Sequence, residues 1–142
     1  MLPGDIYRHA RFYADSDTGE LKPKFLIVLA CPAGGDLVAR LLTSRHAESR
    51  SETPACHHGA PYPGYFLGVL GDPLVKKSWI DLRPFDDLDS HAFERQRDQG
   101  ILTPVAKISG DMLCSALECA ASADDTTRQQ ERHLRDTLAR IR

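Results

Sequence analysis

The sequence predicts an α+β domain, mainly β, built on a small, strongly curved antiparallel sheet of about five to seven strands. A short helix and C-terminal helices complete it. Short apolar or alternating runs, punctuated by Gly, Pro and Asp, crowd the front of the chain. Two amphipathic stretches close it: Met112, Leu113, Ala116, Leu117 and Ala120 form one stripe, and Leu134, Leu138 and Ile141 recur at i, i+4 and i+7. A chain of 142 residues suits one domain and is short for two. A single domain is therefore expected over 1–142, with the sheet at about 4–109 and the helices at about 110–142.

Gly4 to Phe12, GDIYRHARF, alternates after a Pro-Gly start and reads as the first strand. ADSDTGELKPK is polar and reads as a loop. Phe25 to Ala30 is a buried strand, CPAGGD a turn, and DLVARLLTSR a strand paired with it as a hairpin. Ala47 to Pro63 shows no apolar period and is expected as a long exposed loop. GYFLGVLG and KKSWIDL are two further short strands. DDLDSHAFERQRD predicts a short helix starting near Asp89 or Ser90, with Glu94 close to the reach of a capping box. ILTPVAKIS is the last strand, with Pro104 marking an edge or a bend. Ser109 is placed to cap the first closing helix, and Asp125 or Thr126 the second.

Ordinary globular composition, 42% hydrophobic and 27% charged, argues against disordered and fibrous classes. A net charge of -2 argues against a nucleic-acid binder held by bulk charge and leaves a local basic patch open. The longest apolar run, FLIVLAC, is too short to span a bilayer, and MLPGDIYRHA lacks a signal pattern. A cytoplasmic protein without membrane contact is expected. Its four scattered cysteines, with no C-x-x-C among them, are expected as free thiols.

The stretch RLLTSRH, Arg40 to His46, ends an apolar run in two hydroxyls, a guanidinium and an imidazole. Thr43 and Ser44 suit hydrogen bonds to phosphate oxygens, and Arg45, Lys22 or Lys24 would supply a cation over them. Hydroxyls do not titrate near pH 7, so proton transfer falls to His9, His46 or Asp81. Tyr62, Tyr65 and Phe66 around PYPGYF have the chemistry to stack unpaired bases. Each group also has a plain structural reading: turn formers for Thr43 and Ser44, solvated arginines at 40 and 45, a loop edge for the lysines, core and rim for the aromatics. The string Cys56-His57-His58 invites a metal or thiol site, but no second ligand pair follows at zinc spacing. His46, Cys31 or His91 would complete one only through tertiary structure, so no metal or cofactor is expected.

Several strings in order resemble the PemK/MazF family of toxin ribonucleases. They are Gly4-Asp5-Ile6-Tyr7, Lys22-Pro23 before Phe25-Leu26-Ile27-Val28, Leu41-Leu42-Thr43-Ser44, Ser78-Trp79-Ile80-Asp81-Leu82 before an acidic stretch, and Gly100-Ile101-Leu102 leading through Ser109 into Met112-Leu113. The resemblance implies an SH3-like barrel and a metal-independent endoribonuclease that cleaves single-stranded RNA. It also implies an antitoxin partner in a type II system and a homodimer, for which the apolar face of the Met112 helix is a candidate interface. The residue chemistry and the resemblance together give Thr43, Lys22, Lys24, His46 and Asp81 as the catalytic candidates and Ser44, Arg45, His9, Arg83 and Tyr65 as the substrate-binding candidates. Three departures stand out, one of them the length of the loop from Ala47 to Pro63. The family's catalytic arginine precedes the proline, whereas Lys22 stands there in this chain and lacks the planar fork of donors. The helix after Asp124 is an addition. The alternative reading is a non-catalytic binding module on the same barrel that has lost the arginine.

Overall fold

A computed structural model of the chain describes residues 1–84 and 89–142. Its strands are β1 (Asp5–Ala14), β2 (Leu21–Ala30), β3 (Val38–Thr43), β4 (Cys56–His57), β5 (Gly64–Gly68), β6 (Ser78–Asp81) and β7 (Leu102–Lys107). Its helices are α1 (Ser90–Asp98), α2 (Gly110–Ala121) and α3 (Arg128–Ile141). The strands form one seven-stranded sheet in the order β4-β5-β6-β3-β2-β1-β7, with every pairing antiparallel. The acidic Asp86 and Asp87 of the expected short helix lie outside the described residues.

The α+β, mainly β class is as the sequence predicts. Closure into an SH3-like barrel is not: β4 and β7 are the two edges of an open sheet. The packing supplies the reason. Ile6, Ile27, Leu29, Leu42 and Ile80 from the sheet share one core with Leu113, Ala116, Leu117, Leu134 and Leu138 from α2 and α3. The helix pair thus covers the face that a barrel would turn inward. On the other face, Tyr7, Leu26, Val28, Ala39 and Leu102 pack with Phe93 of α1, whose ring meets Tyr7 edge-on at 5.0 Å. The alternation of β2, with Phe25, Ile27 and Leu29 facing one way and Leu26 and Val28 the other, serves both layers at once.

Local chemistry explains the element ends. Gly4 opens β1 at φ +93°, with its N–H on the Val28 carbonyl at 2.7 Å and Leu113 Cδ2 only 3.4 Å from where a Cβ would stand. Ser109 caps α2 by accepting from the Met112 N–H at 3.2 Å. The cap of α3 is Thr127, one residue beyond the expected pair, in a capping box with Gln130. Asp89 caps α1 by accepting from the His91 N–H at 3.1 Å.

Several expectations are corrected. The polar stretch Ala14–Lys24 is not all loop, because β1 runs on to Ala14 and β2 begins at Leu21, where Tyr13 pairs with Lys22 and Ala14 with Leu21. Here β2 has β1 as its neighbour but is not yet paired with β3, an edge-like setting that tolerates Pro23. Arg40 is not solvated; it is 1% exposed and donates to the Ala39 carbonyl at 2.7 Å and to Gln130 of α3 at 3.4 Å. The Met112 stripe of α2 is core rather than a free face, with Leu113, Ala116, Leu117 and Ala120 buried against the sheet. The cysteines are not all free thiols: Cys56 of β4 is disulfide-bonded to Cys119 of α2, while Cys31 and Cys114 are free. Among the described residues no helix is long and apolar enough to cross a membrane.

Candidate functional site

Where β2 emerges from the core and β3 ends, an open cleft of about 430 Å³ is lined by Lys24, Thr43, Ser44, Arg45, Lys76 and Ser78, with Tyr13, Phe25 and the 73–75 turn as walls. Three cations and three hydroxyls therefore surround one space. Lys24 reaches it because it sits two residues before Leu26, where the fully buried run of β2 begins, on a stretch that is still half-exposed. Thr43 is the last residue of β3, where Leu42 is still in the core and Ser44 is already exposed. Thr43 Oγ1 accepts from the Arg45 N–H at 3.1 Å, which fixes the turn that follows. Burial and the nearby Arg45 guanidinium push the Lys24 ammonium below its ordinary value, while Asp81 pulls the other way. Like-charged groups held this close, with part of their water removed, favour an anion between them.

His46 lines an adjoining recess of about 500 Å³ that shares Ser44 and Lys76 with the cleft. Its backbone is left-handed, with φ 63°, a conformation a non-glycine residue adopts at a cost. The segment beyond it, expected as a free loop, is pinned from several sides. Arg50 is buried, donates to the Tyr62 carbonyl at 2.7 Å and lies 4.2 Å over the Tyr62 ring. Tyr62 in turn donates from its hydroxyl to the Arg45 carbonyl at 3.2 Å, and Thr43 hydrogen-bonds to the same side chain. Gly64 opens β5 because a Cβ there would stand 2.9 Å from Arg50 Nη2. A buried arginine thus holds the floor from which the cleft residues project.

Of the residues singled out from sequence, Lys24, Thr43, Ser44 and Arg45 line the cleft together, and His46 is next to it. His9 pairs with Lys24 across β1 and β2, which places the two on one face; burial lowers its imidazole below the ordinary value. Lys22 lies one alternation further out and is bridged to Glu20 at 3.2 Å. Asp81 and Arg83 form a forked pair, with Arg83 Nε and Nη2 on the two carboxylate oxygens at 3.0 and 2.7 Å. That pairing holds Arg83 more firmly charged. Tyr65 is buried and lines a different recess, beside Cys56 and Cys119; its ring is not offered to the cleft. Two contributors escaped sequence reasoning. Lys76 was read as the start of the KKSWIDL strand, but β6 begins at Ser78 and leaves it in the preceding bend, and the Arg50–Tyr62 contact spans a segment read as an exposed loop.

The third chemically distinct cluster is around the disulfide. His58 Nε2 lies 3.4 Å from Cys56 Sγ, 3.5 Å from Cys119 Sγ and 3.0 Å from the Cys119 carbonyl oxygen.

Comparison with family models, with curated proteins and with solved structures returns no match for this chain.

Proposed function

We propose that the protein is a toxin-like, metal-independent endoribonuclease that cleaves single-stranded RNA in the cytoplasm, as a component of a type II toxin-antitoxin system. The observation that carries this reading is the convergence of Lys24, Thr43, Ser44 and Arg45 on one cleft, joined by Lys76. Attack of an RNA 2'-hydroxyl on the adjacent phosphate builds charge on the equatorial phosphate oxygens, and this set supplies cations and hydroxyl donors to meet it. Lys24 and Thr43 are assigned to the phosphate, Ser44, Arg45 and Lys76 to the flanking RNA backbone. His46, at the rim and sharing Ser44 and Lys76 with the cleft, is assigned to proton transfer, with His9 as the second imidazole on the Lys24 face. An antitoxin partner and a homodimer belong to this reading; the buried stripe of α2 is not the surface for either.

A second reading is favoured by one observation. Asp81 is tied to Arg83 and Lys22 to Glu20, so two of the five residues assigned to catalysis are already held in ion pairs. A cleft that grips the RNA backbone without cutting it needs only the cations, which is the binding-module alternative.

The test uses the oxidised, disulfide-intact protein in EDTA with a long unstructured RNA. Cleavage that persists in EDTA and falls about 10²- to 10³-fold in Lys24→Ala and Thr43→Ala supports the nuclease. Intact RNA with binding that weakens in the same variants selects the module. Activity that vanishes in EDTA overturns the metal-independent reading.

A further inference from the structure

We propose that Cys56, His58 and Cys119 form a zinc site that is exposed when the disulfide is reduced, so that the same three residues staple β4 to α2 by a covalent bond or by a metal ion. The three ligand atoms lie within 4.8 Å of one another, although Cys119 comes from 61 residues beyond His58. Tetrahedral zinc with Zn–S of about 2.3 Å and Zn–N of about 2.0 Å places an imidazole nitrogen about 3.5 Å from each thiolate sulfur. His58 Nε2 already stands 3.4 and 3.5 Å from the two sulfurs. In the oxidised protein the same Nε2 is also 3.0 Å from the Cys119 carbonyl oxygen, a hydrogen bond it exchanges for the metal once the sulfurs are thiolates.

The remaining movement is small. The two sulfurs separate to about 3.8 Å in such a site, and with Cα atoms 5.6 Å apart, rotation of the half-buried Cys56 side chain opens that gap. The fourth position faces a recess of about 380 Å³ lined by Tyr65, Ser115, Glu118 and Ser122. Glu118, the carboxylate of that lining, is engaged by Arg142, which leaves the fourth position to water or a ligand. His57, the other imidazole of the string, lies over Gly59, where its Nε2 is 3.0 Å from a Cβ built there, and is not part of the cluster.

The chemistry balances with a low-molecular-weight thiol as reductant. Two RSH reduce the Cys56–Cys119 bond to two thiols and leave as RSSR. Zinc then takes both sulfurs as thiolates and the neutral imidazole, releasing two protons while the remaining ring proton resides on Nδ1. In a reducing compartment the disulfide gives way, and the metal keeps the two elements joined. The cleft and this cluster share no lining residue, so the site stands whether or not the cleft cleaves RNA.

The full chain is reduced with a phosphine under argon and titrated with Co²⁺, then with Zn²⁺. One equivalent of Co²⁺ is expected to give sulfur-to-cobalt charge-transfer bands and tetrahedral d–d bands that Zn²⁺ abolishes. Zn²⁺ is also expected to raise the Tm of the reduced protein and leave that of the oxidised protein unchanged. His58 is exposed, so His58→Ala tests the site without disturbing the core; it should weaken binding by more than the ~10- to 100-fold typical of losing an outer-shell partner. Folding of each variant is followed by circular dichroism. Absence of the charge-transfer bands in folded, reduced protein overturns the proposal. So does binding that survives Cys119→Ser, or that is unaffected by His58→Ala.

Discussion

His46 is the residue at which local strain and candidate chemistry coincide. Its φ of 63° costs a non-glycine side chain about 1 kcal/mol, and it stands at the mouth of the recess beside the cleft. His46→Gly is expected to stabilise the protein by a few tenths to about 1 kcal/mol in urea unfolding. In the nuclease reading the same change lowers cleavage, a stability gain at the expense of activity; a variant equally active and more stable removes His46 from the mechanism. Lys24 carries the pH dependence. Its folded value is lowered, so the unfolded chain holds the proton more tightly and this group's contribution to stability rises with pH, whereas Tyr7, Tyr62 and Cys31, raised by burial, contribute with the opposite sign. The cleft loses this cation on the same alkaline approach, earlier than an ordinary lysine would. RNA affinity is therefore expected to fall at lower alkaline pH than lysine chemistry alone predicts, and Lys24→Arg should remove that limb in a binding titration. The hydroxyls and cations at Thr43, Ser44 and Arg45 were legible because they interrupt an apolar run. Lys76 was not, since it was read into the strand that begins only at Ser78, and its direction depends on how the chain before that strand folds.

At the scale of elements, the helices were the most legible part of the chain. Their apolar spacing and capping residues are local properties, and α2 begins as Ser109 indicates. The cap of α3 moved by one residue because Thr127 brings Gln130 with it in a reciprocal pair. Thr127→Ala is expected to cost about 1 kcal/mol, measured by denaturant unfolding. The link between β4 and α2 is of a different kind. The disulfide joins residues 63 apart in sequence, and closing a loop of that length removes enough freedom from the unfolded chain to be worth about 4 kcal/mol. Reduction in the absence of metal should lower the unfolding free energy by about that amount, a large share of the stability of a small domain. Nothing in the spacing of Cys56 and Cys119 signals their pairing, because it depends on where β5 delivers β4 relative to a helix formed much later in the chain.

The whole molecule carries a net charge of -2, so in the proposed reading the attraction of RNA comes from the cleft and not from the surface as a whole. With Lys24, Arg45 and Lys76 as the cations that replace condensed counterions, the slope of log K against log salt for single-stranded RNA should be about -2. Lys76→Ala should reduce its magnitude by about 0.7. A much steeper slope would place the RNA on another surface. The sheet explains why the barrel expectation failed while its fold class held. Alternation within each strand sets which side chains share a face, yet it carries no information about whether the first and last strands meet. That is settled by what covers the faces of the sheet, and here Leu113, Leu117, Leu134 and Leu138 cover one of them. By itself, the sequence determined the α+β class, the helices, most strands and the cluster from Lys24 to Arg45, all of which follow from neighbours in the chain. The open sheet, the buried Arg40 and Arg50, and the meeting of Cys56 and His58 with Cys119 were decided by tertiary structure, because each depends on contacts between segments whose separation no local pattern encodes.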